Sequence, residues 1–270
     1  MRFGYCINML AAPGSDGSGR ENIGMIAELG FDYLELPLAQ MMAYDLSEFK
    51  TLFLEPLKAS GLPCRCCNNF LPASIRLTGE NADLSSAIHY ADQAMERAAM
   101  LGAEKIVFGS SGARNYPLGF SREAAMDQIR SFLTKLASLA QKYNITIVLE
   151  HLNRAESNLI NSLKEANLLR CELKLPCLQN LLDTYHFALS GGTMNDILET
   201  GSHLSHIHIA RTLNRSLPYA GDESGWPELF SVLHKISYDG DVSIEAYAPV
   251  SDRSACIRES LAFLRSIVQG

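Results

Sequence analysis

Residues 144–150 read NITIVLE, and those letters hold the punctuation of the whole chain. Asn144 tolerates the left-handed backbone that ends a helix, ITIVL is a short β-rich apolar run, and Glu150 stands where the run stops. The same order recurs in both directions. Gly30 precedes FDYLELPL, Gly61 precedes LPCRCCNNF and Gly102 precedes AEKIVFG. Further on, Gly201 precedes SHLSHIHIA and Gly240 precedes DVSIEAY. The 57-residue interval from Asn144 to Gly201 has room for one more unit, whose strand lies in PCLQNLLDTYH. With the opening RFGYCINM, the pattern predicts eight strands.

The segments between them have helical periodicity. Ile88, Ala91, Met95 and Ala98 share one face, as do Met126, Ile129, Leu133, Leu136 and Ala140, and later Ile257, Leu261, Leu264 and Ile267. Strands alternating with helices imply parallel strands joined by crossovers. Eight such units without a linker predict one α/β domain over residues 1–270, a single (β/α)8 barrel, and the 270-residue length suits a fold that takes about 250 residues. No Gly-x-Gly-x-x-Gly follows the first strand, which argues against an open dinucleotide-binding sheet.

Composition narrows the function. Hydrophobic residues make up 47% and charged residues 20%, enough for a sizeable core. The formal net charge of −7 disfavours a nucleic-acid binder, since an acidic surface repels phosphate backbones. The seven cysteines are scattered, which predicts a reducing compartment rather than a disulfide framework. The opening MRFGYCINMLAAPG faintly resembles a signal peptide, but Phe3, Tyr5, Ile7 and Met9 alternate as in a strand, and Gly4 and Asn8 interrupt the apolar run. No run approaches the ~18 apolar residues of a membrane span. The expected location is the cytoplasm.

In a barrel of this kind, chemistry sits at the C-terminal ends of the strands. Strand five closes on Glu150, strand six on Asp183, strand seven on His208 and strand eight on Glu245. Strands often end in polar residues because loops are solvated, and one acid there means nothing. Four in succession pool negative charge at one rim, which is costly unless a cation neutralises it. Three carboxylates and one imidazole suit a divalent metal, Mn²⁺ first, with Mg²⁺, Co²⁺ or Zn²⁺ as alternatives.

Four segments carry a resemblance: EHLNRAE from Glu150 to Glu156, DTYH from Asp183 to His186, HIHIA from His206, and YDGDVSIE ending at Glu245. Together they resemble the xylose-isomerase-like TIM-barrel superfamily of sugar isomerases and epimerases, and within it the ketose 3-epimerases of the tagatose and psicose type. The resemblance implies that Glu150, Asp183, His208 and Glu245 bind the metal, with Glu150 and Glu245 also the catalytic acid/base pair. It implies substrate binding by Glu156, His186 and Arg215. Arg215 follows His208 by seven residues where about six is expected by analogy, so Arg211 competes with it. The implied protein is a metal-dependent isomerase acting on a small-molecule sugar, with no nucleic-acid or membrane partner, and homo-oligomers occur among relatives.

The chemistry agrees with those roles. Inverting a stereocentre beside a ketone means removing a carbon-bound proton and stabilising the enediolate that forms. A divalent metal chelated by the carbonyl and adjacent hydroxyl spreads that charge. Two carboxylates on opposite sides of the sugar let one take the proton and the other return it.

Other polar residues have duller explanations. His206 points the same way as His208 and is expected to be a packed barrel histidine. His151 and Asn153 either line the pocket or sit in a solvated loop, and His89, His203 and His234 are structural. On alternation alone, Cys64 and Cys66 face one way and Cys67 the other, as small buried residues. Glu35, ending strand two, and Asn68 and Asn69, ending strand three, either reach substrate or meet solvent. Trp226 stacks on a sugar or anchors a helix. The Gly109–Gly112 loop is Gly/Ser-rich and could admit a phosphate, but lacks Walker spacing and its Lys. Competing functions are inosose dehydration, hydroxypyruvate isomerisation and, outside enzymes, sugar binding. An abasic-site endonuclease lacks its zinc histidines here.

Overall fold

Asn144 adopts φ 54°, and its N–H closes onto the Gln141 carbonyl at 3.2 Å, so the helix stops and the next strand starts where the sequence placed the break. The computed structural model describes residues 1–269; Gly270, the last residue of the expected domain, lies outside the described residues. Eight parallel strands close in sequence order: β1 (Arg2–Cys6), β2 (Tyr33–Pro37), β3 (Cys64–Asn68), β4 (Lys105–Phe108), β5 (Thr146–Glu150), β6 (Leu178–Asp183), β7 (Leu204–Ile209) and β8 (Asp241–Ile244), with β8 paired back to β1. The principal crossover helices are α1 (Ile23–Glu28), α2 (Glu55–Ser60), α3 (Leu84–Leu101), α4 (Arg122–Tyr143), α5 (Leu163–Leu173), α6 (Met194–Thr200), α7 (Trp226–Lys235) and α8 (Arg253–Gln269). This is a closed (β/α)8 barrel, as the strand and helix pattern predicts.

Capping explains the helix limits. Asp83 and Ser121 accept from the Ser86 and Ala124 N–H groups at the starts of α3 and α4. The helix stop missing from the Asn144–Gly201 interval is Lys174, left-handed at φ 50°. A lysine carries no sequence signal for that conformation.

The core is divided. A continuous apolar shell lies between strands and helices, and the predicted stripes, Ala91, Met95 and Ala98 on α3 and Leu133 and Leu136 on α4 among them, all enter it. Inside the barrel, Cys66, Val107, Val148 and Leu181 form a separate layer. The alternation drawn for the cysteines fails: Cys64 Sγ lies 3.9 Å from Cys67 Sγ in the outer shell, and Cys66 alone faces inward. The reason is a bulge. Leu34 pairs with Cys64 but Glu35 pairs with Cys66, so Arg65 is an extra residue that resets the faces.

Below the inner layer, Asp241 is fully buried and takes ion pairs from Arg2 Nε at 2.6 Å, Lys105 Nζ at 2.7 Å and Arg65 Nε at 3.2 Å. Gly4 makes room above it: a Cβ there would lie 2.2 Å from the Tyr33 ring. No described helix is long and apolar enough to cross a membrane.

Candidate active site

The C-terminal rim brings Glu150, Asp183, His208 and Glu245 together, with one donor atom from each within 4.8 Å of all the others. Atoms bound to one ion at about 2.0–2.6 Å are at most about 5 Å apart, so the set fits a single divalent cation. All four residues are buried. His208 turns Nδ1 to Glu245 Oε2 at 2.9 Å and Glu150 Oε1 at 3.2 Å. Asp183 uses Oδ1 to cap the short helix Thr184–Leu189, accepting from Tyr185 N at 2.7 Å and His186 N at 3.2 Å, which fixes where Oδ2 points.

Arg215 enters this cluster. Its Nη2 donates to Asp183 Oδ2 at 2.8 Å and to Glu245, and its guanidinium lies 4.9 Å from the centre of the Tyr185 ring. Arg211 lies elsewhere, 4.5 Å above the Tyr219 ring with Asp222 beside it. Glu156, His186 and Arg215 line one cavity of about 910 Å³ together with Glu150 and Glu245. Asn153 is buried and no part of a solvated loop: its side chain donates to Glu156 Oε1 at 3.0 Å and meets His186 Nδ1 at 2.9 Å. The Asn153 backbone N–H also donates to His186 Nδ1, so the ring's proton sits on Nε2, which faces Glu156 and Asp183.

Charge separates the two proposed acid/base residues. Burial pushes the Glu150 carboxyl above its ordinary range. Burial also opposes ionisation of Glu245, but Arg215 and His208 outweigh it and hold that carboxyl well below the usual range. His208 is driven the other way: burial would lower it, and Glu245 and Glu35 together hold it well above an ordinary histidine.

Three contributors carried no clear sequence signal. Glu35 neither ends its strand nor meets solvent. It sits inside β2 at 0% exposure, with Oε1 2.9 Å from His208 Nε2 and Oε2 2.8 Å from His206 Nε2 and 2.6 Å from Ser243 Oγ. Burial would raise its carboxyl, and the two histidines outweigh that and keep it ionised. Arg114 is fully buried and donates to the Glu150 carbonyl at 2.8 Å and the Phe108 carbonyl at 3.3 Å, tying β4 to β5 at the rim. Gly109 lies against the Glu150 carboxylate, where a Cβ would stand 2.0 Å from Oε2.

His151 is buried beside Phe187 with neither ring nitrogen bonded, and burial lowers its pKa to about 3, so it is neutral. Trp226 is buried and donates Nε1 to Asp222 at 2.8 Å, away from the cavity; it anchors α7. Ser110, Ser111 and Gly112 form cavity wall.

Known proteins place the chain. It is 26% identical over 231 residues to a ketose 3-epimerase of Arthrobacter globiformis, covering 85% of this chain and 78% of that protein. It is 26% identical over 253 residues to the 3-dehydro-D-guloside 4-epimerase of Escherichia coli, covering 91% and 94%. A crystal structure of a D-psicose 3-epimerase determined in the presence of D-fructose superposes over 100% of both chains with a TM-score of 0.86 at 19% identity, a likeness of fold. The family described as xylose isomerase-like TIM barrel matches residues 23–267, and the chain belongs to it.

Proposed function

We propose that the protein is a divalent-metal-dependent epimerase or isomerase of a ketose or related polyol sugar. The observation that carries this reading is the convergence of Glu150, Asp183, His208 and Glu245 at the edge of a cavity that Glu150 and Glu245 line together with Glu156, His186 and Arg215. Epimerases among the relatives support it.

Glu150, Asp183, Glu245 and His208 Nδ1 would hold the ion, and their oxygen-rich donor set suits Mn²⁺ first. Bound there, the cation would lower the cost of the negative charge that develops on the sugar's carbonyl and adjacent hydroxyl. Glu150 reaches the cavity from β5 and Glu245 from just beyond β8, so the two carboxylates approach a bound sugar from different sectors of the rim. One takes the carbon-bound proton, and the other returns a proton to the opposite face. Arg215 holds Glu245 ionised and in place, while His186 Nε2–H and Glu156 offer a donor and an acceptor to sugar hydroxyls. The seven free cysteines suit the reducing cytoplasm.

The test is metal content of protein purified without chelator, followed by a panel of free ketoses and keto-sugar glycosides in D₂O. Bound divalent metal and solvent deuterium at the carbon beside the carbonyl are expected. Metal-free protein that Mn²⁺ does not load, or sugars recovered without deuterium, would remove the reading.

A further inference from the structure

The epimerase reading uses one side of the cavity. Glu150, Glu156, His186, Arg215 and Glu245 all belong to the arc from β5 to β8. The other wall comes from the loops after β1, β2 and β3, where Asp16, Gln40, Tyr44 and Asn69 line the same space. In a closed ring of eight strands, β1–β3 face β5–β7 across the mouth, so the cavity spans the rim. Its 910 Å³ is large for one sugar unit. A cavity of about 150 Å³ encloses benzene, so a hexose with about twice as many heavy atoms needs roughly 300 Å³.

That far wall is organised. The Asp16 carboxylate accepts from the Tyr44 hydroxyl at 2.7 Å, from Ser18 N at 2.9 Å and from Arg20 Nε at 3.1 Å. Tyr44 is thereby tethered at one end, and its ring backs onto Phe53 with centroids 5.7 Å apart. Asn69 is held left-handed at φ 48°, a conformation that costs a non-glycine residue free energy, and its backbone carbonyl accepts from Ala39 N at 2.8 Å. Its Nδ2 donates to Gln40 Oε1 at 3.4 Å. The Gln40 amide hydrogens and the Asn69 side-chain carbonyl then have no protein partner among the described residues, and both side chains line the cavity.

Charge limits what can bind there. Arg215 is the only guanidinium or ammonium in the lining, and it is committed to Asp183 and Glu245. The cations beside the far wall are engaged, Arg20 with Asp16 and Arg97 with the Tyr44 and Met41 carbonyls. The wall offers an aromatic ring with a neutral donor and acceptor, and no cation for a phosphate or carboxylate.

We propose that this wall is a subsite for a second, neutral sugar unit, so that the substrate is a keto-sugar glycoside rather than a free or phosphorylated monosaccharide. This rests on the epimerase reading. A glycosidic bond locks the anomeric carbon, so the ketone of such a substrate stands on a ring carbon, flanked by the hydroxyl-bearing carbon whose proton Glu150 or Glu245 removes.

The experiment compares three probes in D₂O: a 3-keto methyl hexopyranoside, the 3-keto derivative of a neutral disaccharide, and a ketohexose phosphate. Deuterium incorporation and kcat/KM are measured for the native protein, Gln40→Ala and Tyr44→Phe, with thermal melting to establish that each variant folds. The disaccharide is expected to exceed the methyl glycoside by about tenfold in kcat/KM, chiefly through KM, and either substitution should bring that ratio towards one. A native ratio of one, a ratio that survives both substitutions, or a preference for the phosphate overturns the subsite while deuterium incorporation still upholds the epimerase. No deuterium in any probe removes the epimerase reading and the subsite with it.

Discussion

Glu35 Oε1 lies 2.9 Å from His208 Nε2, on the side of the ring opposite the one that faces Glu150 and Glu245. A buried carboxylate behind a metal-binding histidine fixes the ring's orientation and its tautomer, leaving the other nitrogen free to bind the ion. Removing such a partner typically weakens metal affinity about 10–100-fold. Glu35→Gln is therefore expected to raise the Mn²⁺ dissociation constant by that factor in calorimetric titration. An unchanged constant in a folded variant would show that Glu35 serves the barrel interior alone.

This relationship marks the limit of what the sequence disclosed. Glu150 and Asp183 were legible because each closes a strand, His208 because it stands one residue before a strand's end, Glu245 because it directly follows one, and strand ends are countable from helix stops such as Asn144 and Gly102. Glu35 was misplaced because FDYLELPL continues as strand to Pro37, so an acid that looks terminal lies in mid-strand. The bulge at Arg65 was hidden for a related reason: alternation assumes an uninterrupted pleat, and one extra residue reverses it. Arg114 and Gly109 act through a backbone carbonyl and through empty space, and neither leaves a spacing to read. Arg211 and Arg215 both occur in plausible sequence positions, and only the loop after β7, left-handed at Asn214 and Arg215, decides which one turns inward.

Substrate grip should be separable from metal binding. Glu156 and His186 line the cavity but are outside the four-donor cluster, and Asn153 joins them to each other. Glu156→Gln and His186→Asn are expected to lower turnover about tenfold or more while metal content stays at the native level. Loss of metal from either variant would assign that residue to the ion rather than to the sugar.

Acid stability should depend on the opposite end of the barrel. Burial would raise the Asp241 carboxyl, but Lys105 and Arg2 outweigh it and bring its pKa down to about 2 from an ordinary 3.8. A carboxylate depressed in this way stabilises the fold fully above its unfolded pKa, and that contribution fades as pH falls from about 4 towards 2. Asp241→Asn should therefore cost about 2 kcal/mol at pH 7, where it takes away the anion that Lys105, Arg65 and Arg2 share, and much less at pH 2. Urea unfolding at the two pH values measures the difference, and a pH-independent loss would mean that packing, not the ion cluster, sets the contribution.

Catalysis should be separable from metal occupancy at Glu150 and Glu245. Replacing either with Gln keeps an oxygen that can bind the ion and removes a base. Each single variant, loaded with excess Mn²⁺, is expected to lose about 10²–10⁴-fold in turnover, the usual contribution of a general base. The environments differ, so the losses need not match: Arg215 and His208 keep Glu245 ionised, whereas burial favours a proton on Glu150. The double variant should fall little below the worse single one, because a proton relay missing one end gains nothing from the other. Turnover and metal content are measured together for all three proteins. Native turnover in either metal-loaded single variant would mean that a different group moves the proton, and the two-carboxylate mechanism would have to be given up.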